Sequence, residues 1–136
     1  MKETEAKLCG LAEDMLKRSY APYSHFHVGA ALLTKSGRIY TGCNIENAAF
    51  GPSVCAERTA IFKAVSEGER DFALIAIAGG RDGVMGEACP PCGVCRQVMA
   101  EFCSPDFVIL CPSAGGEVKR FTLGELLPES FGEGNL

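Results

Sequence analysis

The chain has 136 residues, with 13 Lys and Arg against 17 Asp and Glu for a formal net charge of −4, and it is 47% hydrophobic. That length suits a single domain, residues 1–136, which buries about two thirds of its unfolded surface without cysteine staples. No apolar run approaches the roughly 20 residues of a membrane-spanning helix. The scattered basic residues exclude the positive footprint of a nucleic-acid-binding surface and point to a small, neutral or weakly charged substrate.

Taken in chain order, residues 3–19 place Ala6, Leu8, Leu11, Ala12, Met15 and Leu16 at helical spacing, and Pro22 then stops the helix. FHVGAALLTKSGRIYTGCNIE reads as a hairpin around Lys35, Ser36 and Gly37. PSVCAERTAIFKAVSEGE predicts a helix with Ser53 as its N-cap and Gly68 at its end. FALIAIAGG is a continuous apolar run, as in a strand covered on both faces. PPCGVCRQVMAEFC opens a further helix with Pro91 near its first turn. DFVILCP and EVKRFT follow as strands, LGELLP as a short helix, and GEGNL as a fraying end. Helices interleaved with strands after a hairpin predict an α/β/α sandwich around a mixed five-stranded sheet, whose strand order the pattern leaves open.

Eight cysteines are present. The N-terminal stretch MKETEAKLCGLAEDMLKRSY lacks the apolar core and small-residue cleavage site of a signal peptide, so reduced thiols and a cytoplasmic location are expected. CPPCGVCRQ, residues 89–97, contains two overlapping C-x-x-C pairs. Cys92 and Cys95, three apart at a helix start, project to nearly the same side, which suits two thiolates on one ion or a redox pair. Cys55 also falls at a predicted helix start, where partial positive charge favours thiolate. Three sulfurs would leave one position of a tetrahedral metal open, whereas Cys43 or Cys89 could close it into a structural site. Cys103 and Cys111 are expected to be ordinary buried thiols. Glu57, two residues after Cys55, completes a Cys-x-Glu followed by Pro-Cys-x-x-Cys, the zinc deaminase signature with Cys in the first ligand position.

With these motifs the sequence resembles cytidine deaminases of the short, homotetrameric type. The likeness is carried by YAPYSHFHVGAALLT, GCNIENAAF, CAERTA, PCGVCRQ and ELLPESF in that order. The resemblance implies one Zn²⁺ per subunit on Cys55, Cys92 and Cys95, with water in the fourth position, and Glu57 as the proton carrier in hydrolytic deamination of cytidine and deoxycytidine. It assigns Arg58 to the ligand thiolates, Phe26 and Val28 to the pyrimidine, Asn44 and Glu46 to the ribose, and the backbone at Ala56 to the base carbonyl. Phe131 is expected to enter a neighbouring subunit's pocket. Phe50 stands where close relatives commonly carry tyrosine. His25 and His27 fall on the opposite face of the first strand and are read as non-ligands. Recovery of pyrimidine nucleosides is the implied role. The alternatives are a blasticidin S-type deaminase with the same zinc pattern, against which Asn44 and Glu46 argue, and a non-catalytic structural zinc domain. A nucleic-acid-editing deaminase is disfavoured by the absence of a positive channel.

Overall fold

The computed structural model describes residues 2–136. A first helix, α1 (Glu3–Asp14), runs into a 3₁₀ turn at Met15–Lys17. The hairpin follows as β1 (Phe26–Thr34) and β2 (Ile39–Cys43), then α2 (Ala56–Ser66), β3 (Phe72–Arg81), α3 (Gly93–Phe102), β4 (Val108–Pro112), β5 (Val118–Thr122) and α4 (Leu123–Leu126). The helical period expected over 3–19 thus ends in regular α form at Asp14, well before Pro22.

The five strands form one mixed sheet in the order β2-β1-β3-β4-β5. β3 and β4 are parallel, joined through α3, and the other neighbours are antiparallel. The sheet lies between two apolar layers. Leu8, Cys9 and Ala12 of α1 pack on Ala31, Ala76, Ala78 and Leu110. The opposite face carries Ala30, Leu32, Ile75, Ile77 and Ile109 against Ala60, Ile61 and Ala64 of α2 and Met99 of α3. β3 therefore buries Ile75, Ala76, Ile77 and Ala78 in succession, which accounts for its unbroken apolar run.

Topology decides where chemistry can gather. β2 and β3 are both antiparallel to β1, so their C-terminal ends lie at the same edge of the sheet, where β1 begins. The chain leaves β2 for α2 and β3 for α3 on one face. Both helix N-termini therefore come to that edge, the usual place for a ligand in an open α/β sheet. α2 sits tightly on β2: a Cβ on Gly42 would lie 2.5 Å from the Ala56 carbonyl oxygen and 2.6 Å from the Ala60 nitrogen. Thr59 reinforces the contact by donating from Oγ1 to the Cys43 carbonyl at 3.0 Å. Gly68, with φ +93°, supplies the left-handed residue that ends α2 as the sequence suggests.

One ion pair joins the two ends of the chain. Glu5 is buried under α1 and accepts from Nη2 of Arg120 on β5, at 2.6 Å to each carboxylate oxygen. The Arg120 hydrogen bond holds the Glu5 carboxyl below its ordinary value against the opposing effect of burial. A depressed carboxylate stabilises the fold above its unfolded pKa, and that contribution is lost as pH falls through the folded value. Arg120→Met is therefore expected to lower the melting temperature by about 3 °C or more at pH 7. The deficit should begin to shrink as pH falls below about 4 and go on shrinking as pH passes through the depressed folded value, below which Glu5 is neutral in both proteins. Thermal melts at the two pH values measure this, and an equal deficit at both would remove the ion pair as its cause.

Candidate metal and substrate site

Cys55 and Cys92 are the N-cap residues of α2 and α3, with extended backbones at φ −77°, ψ 157° and φ −69°, ψ 169°. The expected cap Ser53 lies outside the helix, where its Oγ accepts from the Asn47 backbone N–H at 3.0 Å and holds the preceding loop. The cap position explains the convergence of the site residues. In a helix's first turn the N-cap and N3 side chains meet, as they do in a capping box. On α3 this pair is Cys92 and Cys95, and on α2 it is Cys55 and Arg58. Arg58 accordingly donates from Nη2 to Cys55 Sγ at 3.4 Å, while Cys55 Sγ and Cys92 Sγ stand 3.7 Å apart.

The three sulfurs of Cys55, Cys92 and Cys95 lie within 4.8 Å of one another and could hold a metal ion, and Cys43 and Cys89 fall outside this group. A hydrogen bond from Cys95, supported by Arg58 and opposed by burial, brings the Cys55 thiol down to about 5. Cys95, the donor in that bond and buried, is held up instead. Zn²⁺ is the kind of ion that lets three sulfurs this close ionise together. The donor set fits zinc with one position open. Arg58 Nε, buried and without a partner among the described residues, adds uncompensated positive character beside the sulfurs, which offsets the charge of a three-thiolate set.

A cavity of about 260 Å³ opens over this cluster, lined in part by Val28, Asn44, Glu46, Cys55, Glu57 and Arg58. Glu57 is 3% exposed. Burial pushes its carboxyl up to about 7, and the Cys55 charge acts in the same direction. Asn44 Oδ1 accepts from the Val28 backbone N–H at 2.9 Å and from Ser19 Oγ, while Nδ2 donates to the Phe26 carbonyl at 2.9 Å. One Nδ2 hydrogen thus remains free of these contacts. Glu46 Oε1 accepts from the Tyr23 and Ser24 N–H groups at 3.0 and 3.1 Å, and Oε2 accepts from Ser24 Oγ. These bonds, the Ser24 hydroxyl foremost, hold its carboxyl below the ordinary value. Alternation past the end of β2 puts Asn44 and Glu46 on the cavity side, while Cys43 is buried in the core.

The other expected residues are placed differently. Ala56 is fully buried as the first residue of α2, among the N–H groups that a helix leaves unpaired. The Phe26 ring stands beside the cavity: a Cβ on Gly79 would lie 2.9 Å from Cys89 Sγ and 3.2 Å from Phe26 Cε2. Phe131 is 60% exposed and is not part of the cavity lining. Cys89, which the sequence offered as a possible fourth ligand, lies outside the sulfur cluster and instead lines the cavity wall with Pro90, where burial raises its thiol to about 11.

Residues 2–111 match the family model described as the cytidine and deoxycytidylate deaminase zinc-binding region. A cytidine deaminase of Sporosarcina psychrophila is 44% identical over 130 residues, covering 96% of this chain and 93% of the relative. One from Halalkalibacterium halodurans is 50% identical over 113 residues, 83% of each chain. A blasticidin-S deaminase of Bacillus cereus is 30% identical over 133 residues, 95% of this chain and 93% of its own. Among solved structures, a cytidine deaminase from Burkholderia pseudomallei superposes with a TM-score of 0.86 at 42% identity, covering 96% of this chain and all of its own. The match extends across both ligand-bearing helix starts and agrees with the arrangement of sulfurs found there: the chain belongs to the cytidine and deoxycytidylate deaminase zinc-binding family.

Proposed function

We propose that the chain, acting as one catalytic domain, hydrolyses the C4 amino group of cytidine and deoxycytidine to give uridine and deoxyuridine with release of ammonia. The observation that carries this reading is the buried Glu57 carboxyl lining the same cavity as Cys55 and Cys92, two of the three convergent sulfurs. When bound, zinc supplies Lewis acidity that makes water a competent nucleophile near neutral pH. Cys55, Cys92 and Cys95 would hold it, and Arg58 with the two helix N-termini would withdraw charge from the sulfurs. Glu57 takes a proton from the attacking water and delivers it to ring N3, then takes a second from the C4 hydroxyl as the carbonyl forms and passes it to the departing amine, so one carboxyl serves as base and acid in turn.

Val28 forms one wall for the pyrimidine, and the Phe26 ring at the mouth offers a face for stacking. The backbone N–H at Ala56 is available to the base carbonyl. Glu46, pinned as an anion, accepts from a ribose hydroxyl, and the remaining Asn44 N–H donates to one. These two residues favour a nucleoside over blasticidin S.

The exposed rings of Tyr20, Tyr23, Phe50 and Phe131 support a homotetramer in which a neighbour's Phe131 completes the pocket. Phe50 would pack there without the hydroxyl of a tyrosine. A cytoplasmic role in recovering pyrimidine nucleosides follows from this reading. No described helix is long and apolar enough to cross a membrane, which accords with it. The test is the ultraviolet absorbance change when zinc-replete protein is mixed with cytidine, deoxycytidine, cytosine or blasticidin S in turn. Rapid conversion of both nucleosides, with little of the free base or of blasticidin S, is expected. Turnover of blasticidin S alone would overturn the substrate assignment, and turnover of none would overturn the enzymatic one.

A further inference from the structure

Arg96 and Gln97 directly follow the third sulfur ligand, and nothing in the reaction above uses them. The Arg96 guanidinium spans two carbonyls: Nε donates to Pro91 O at 2.7 Å and Nη1 donates to Leu126 O at 2.8 Å. Pro91 is fully buried, and its carbonyl belongs to the peptide that leads into Cys92. Leu126 closes α4, where helix carbonyls lack intrahelical donors and a cation is favourable. One residue on, Gln97 Nε2 donates to Phe131 O at 2.9 Å, so the backbone of the C-terminal arm is tied while the ring stays outside.

We infer that Arg96 and Gln97 are positioning residues that clamp the Cys92 ligand loop and the Phe131-bearing arm into one mechanical unit. The Arg96 fork is the joint. Its two bonds run to segments 35 residues apart in sequence that share no strand or helix. Gln97 holds the far end of the arm. Order in the metal loop therefore passes to the arm through one guanidinium bridging two carbonyls, by charge-assisted hydrogen bonds that are stronger than those between neutral groups. Only the arm's contribution to substrate binding rests on the deaminase reading.

The test uses the full zinc-loaded chain with Arg96→Met, Arg96→Lys and Gln97→Leu, read by zinc release to a colorimetric chelator and by amide exchange over residues 127–136. Arg96→Met should release zinc about tenfold faster, the scale of a lost hydrogen bond from a charged group, and should raise exchange at 127–131. Arg96→Lys, with one charged head in place of the fork, should recover only part of each effect. Gln97→Leu should raise exchange around Phe131 and raise KM for cytidine several-fold more than it lowers kcat. Stripping zinc from the wild type should loosen residues 127–131, and should do so far less in Arg96→Met, where the link is already cut. Unchanged arm exchange on zinc removal from the wild type, or wild-type zinc release in Arg96→Met, would overturn the clamp. Zinc release and exchange are read without substrate, so a wild type inert toward cytidine would sink the functional reading alone.

Discussion

Glu57→Gln is expected to cut kcat on cytidine by about 10² to 10⁴-fold while leaving zinc content and melting temperature close to wild type. The amide has nearly the shape of the carboxyl and fits the same buried space at the start of α2, so packing is preserved. What is lost is the ability to take a proton and return it. The second carboxylate facing the cavity, Glu46, is occupied by the Tyr23 and Ser24 N–H groups and the Ser24 hydroxyl, and cannot stand in. Removing a desolvated carboxyl also relieves the burial that pushes Glu57 up to about 7, so stability should be unchanged or slightly higher. Steady-state kinetics, zinc analysis and a thermal melt on one preparation make the check. Turnover within a few-fold of wild type would assign the proton transfers elsewhere, and loss of zinc or of the fold would show the residue to be structural.

Gly42→Ala is expected to damage fold and site together. The added Cβ would meet the Ala56 carbonyl oxygen at 2.5 Å, the Ala60 nitrogen at 2.6 Å and Thr59 Cβ at 3.0 Å. Two of these are backbone atoms of α2, so no side-chain rotation relieves the clash and the helix must move off β2. Overpacking of this kind costs roughly 1 to 3 kcal/mol, or about 4 to 12 °C in melting temperature for a chain of this size. The displaced element carries Cys55, Glu57 and Arg58, and a misplacement near 1 Å can cost about 10²-fold in rate. Gly10→Ala is the control. It lies on the exposed side of α1 with nothing within 4 Å of the new Cβ, and alanine there should be neutral or stabilising. Calorimetry and kinetics on the pair decide the matter: equal stability of the two variants would mean that α2 does not rest on Gly42.

Much of this molecule is legible without coordinates. The period of α2, its end at Gly68 and the unbroken apolar run of β3 are local patterns, because hydrogen bonding and burial along one element depend on neighbours in sequence. The Cys-x-Glu and Pro-Cys-x-x-Cys groups are also local, since N-cap and N3 side chains meet within one turn whatever the rest of the chain does.

The tertiary structure alone decided what depends on residues far apart. That β1 lies between β2 and β3 brings both ligand-bearing helices to one edge, and pairing partners of this kind leave no trace in either segment. The same limit hid the Glu5 pair with Arg120, the exclusion of Cys43 and Cys89 from the sulfur cluster, and the Arg96 fork. Each is a contact between surfaces whose neighbours are chosen when the layers close. A sequence therefore specifies the chemical groups and their local geometry, whereas long-range packing determines which of them meet.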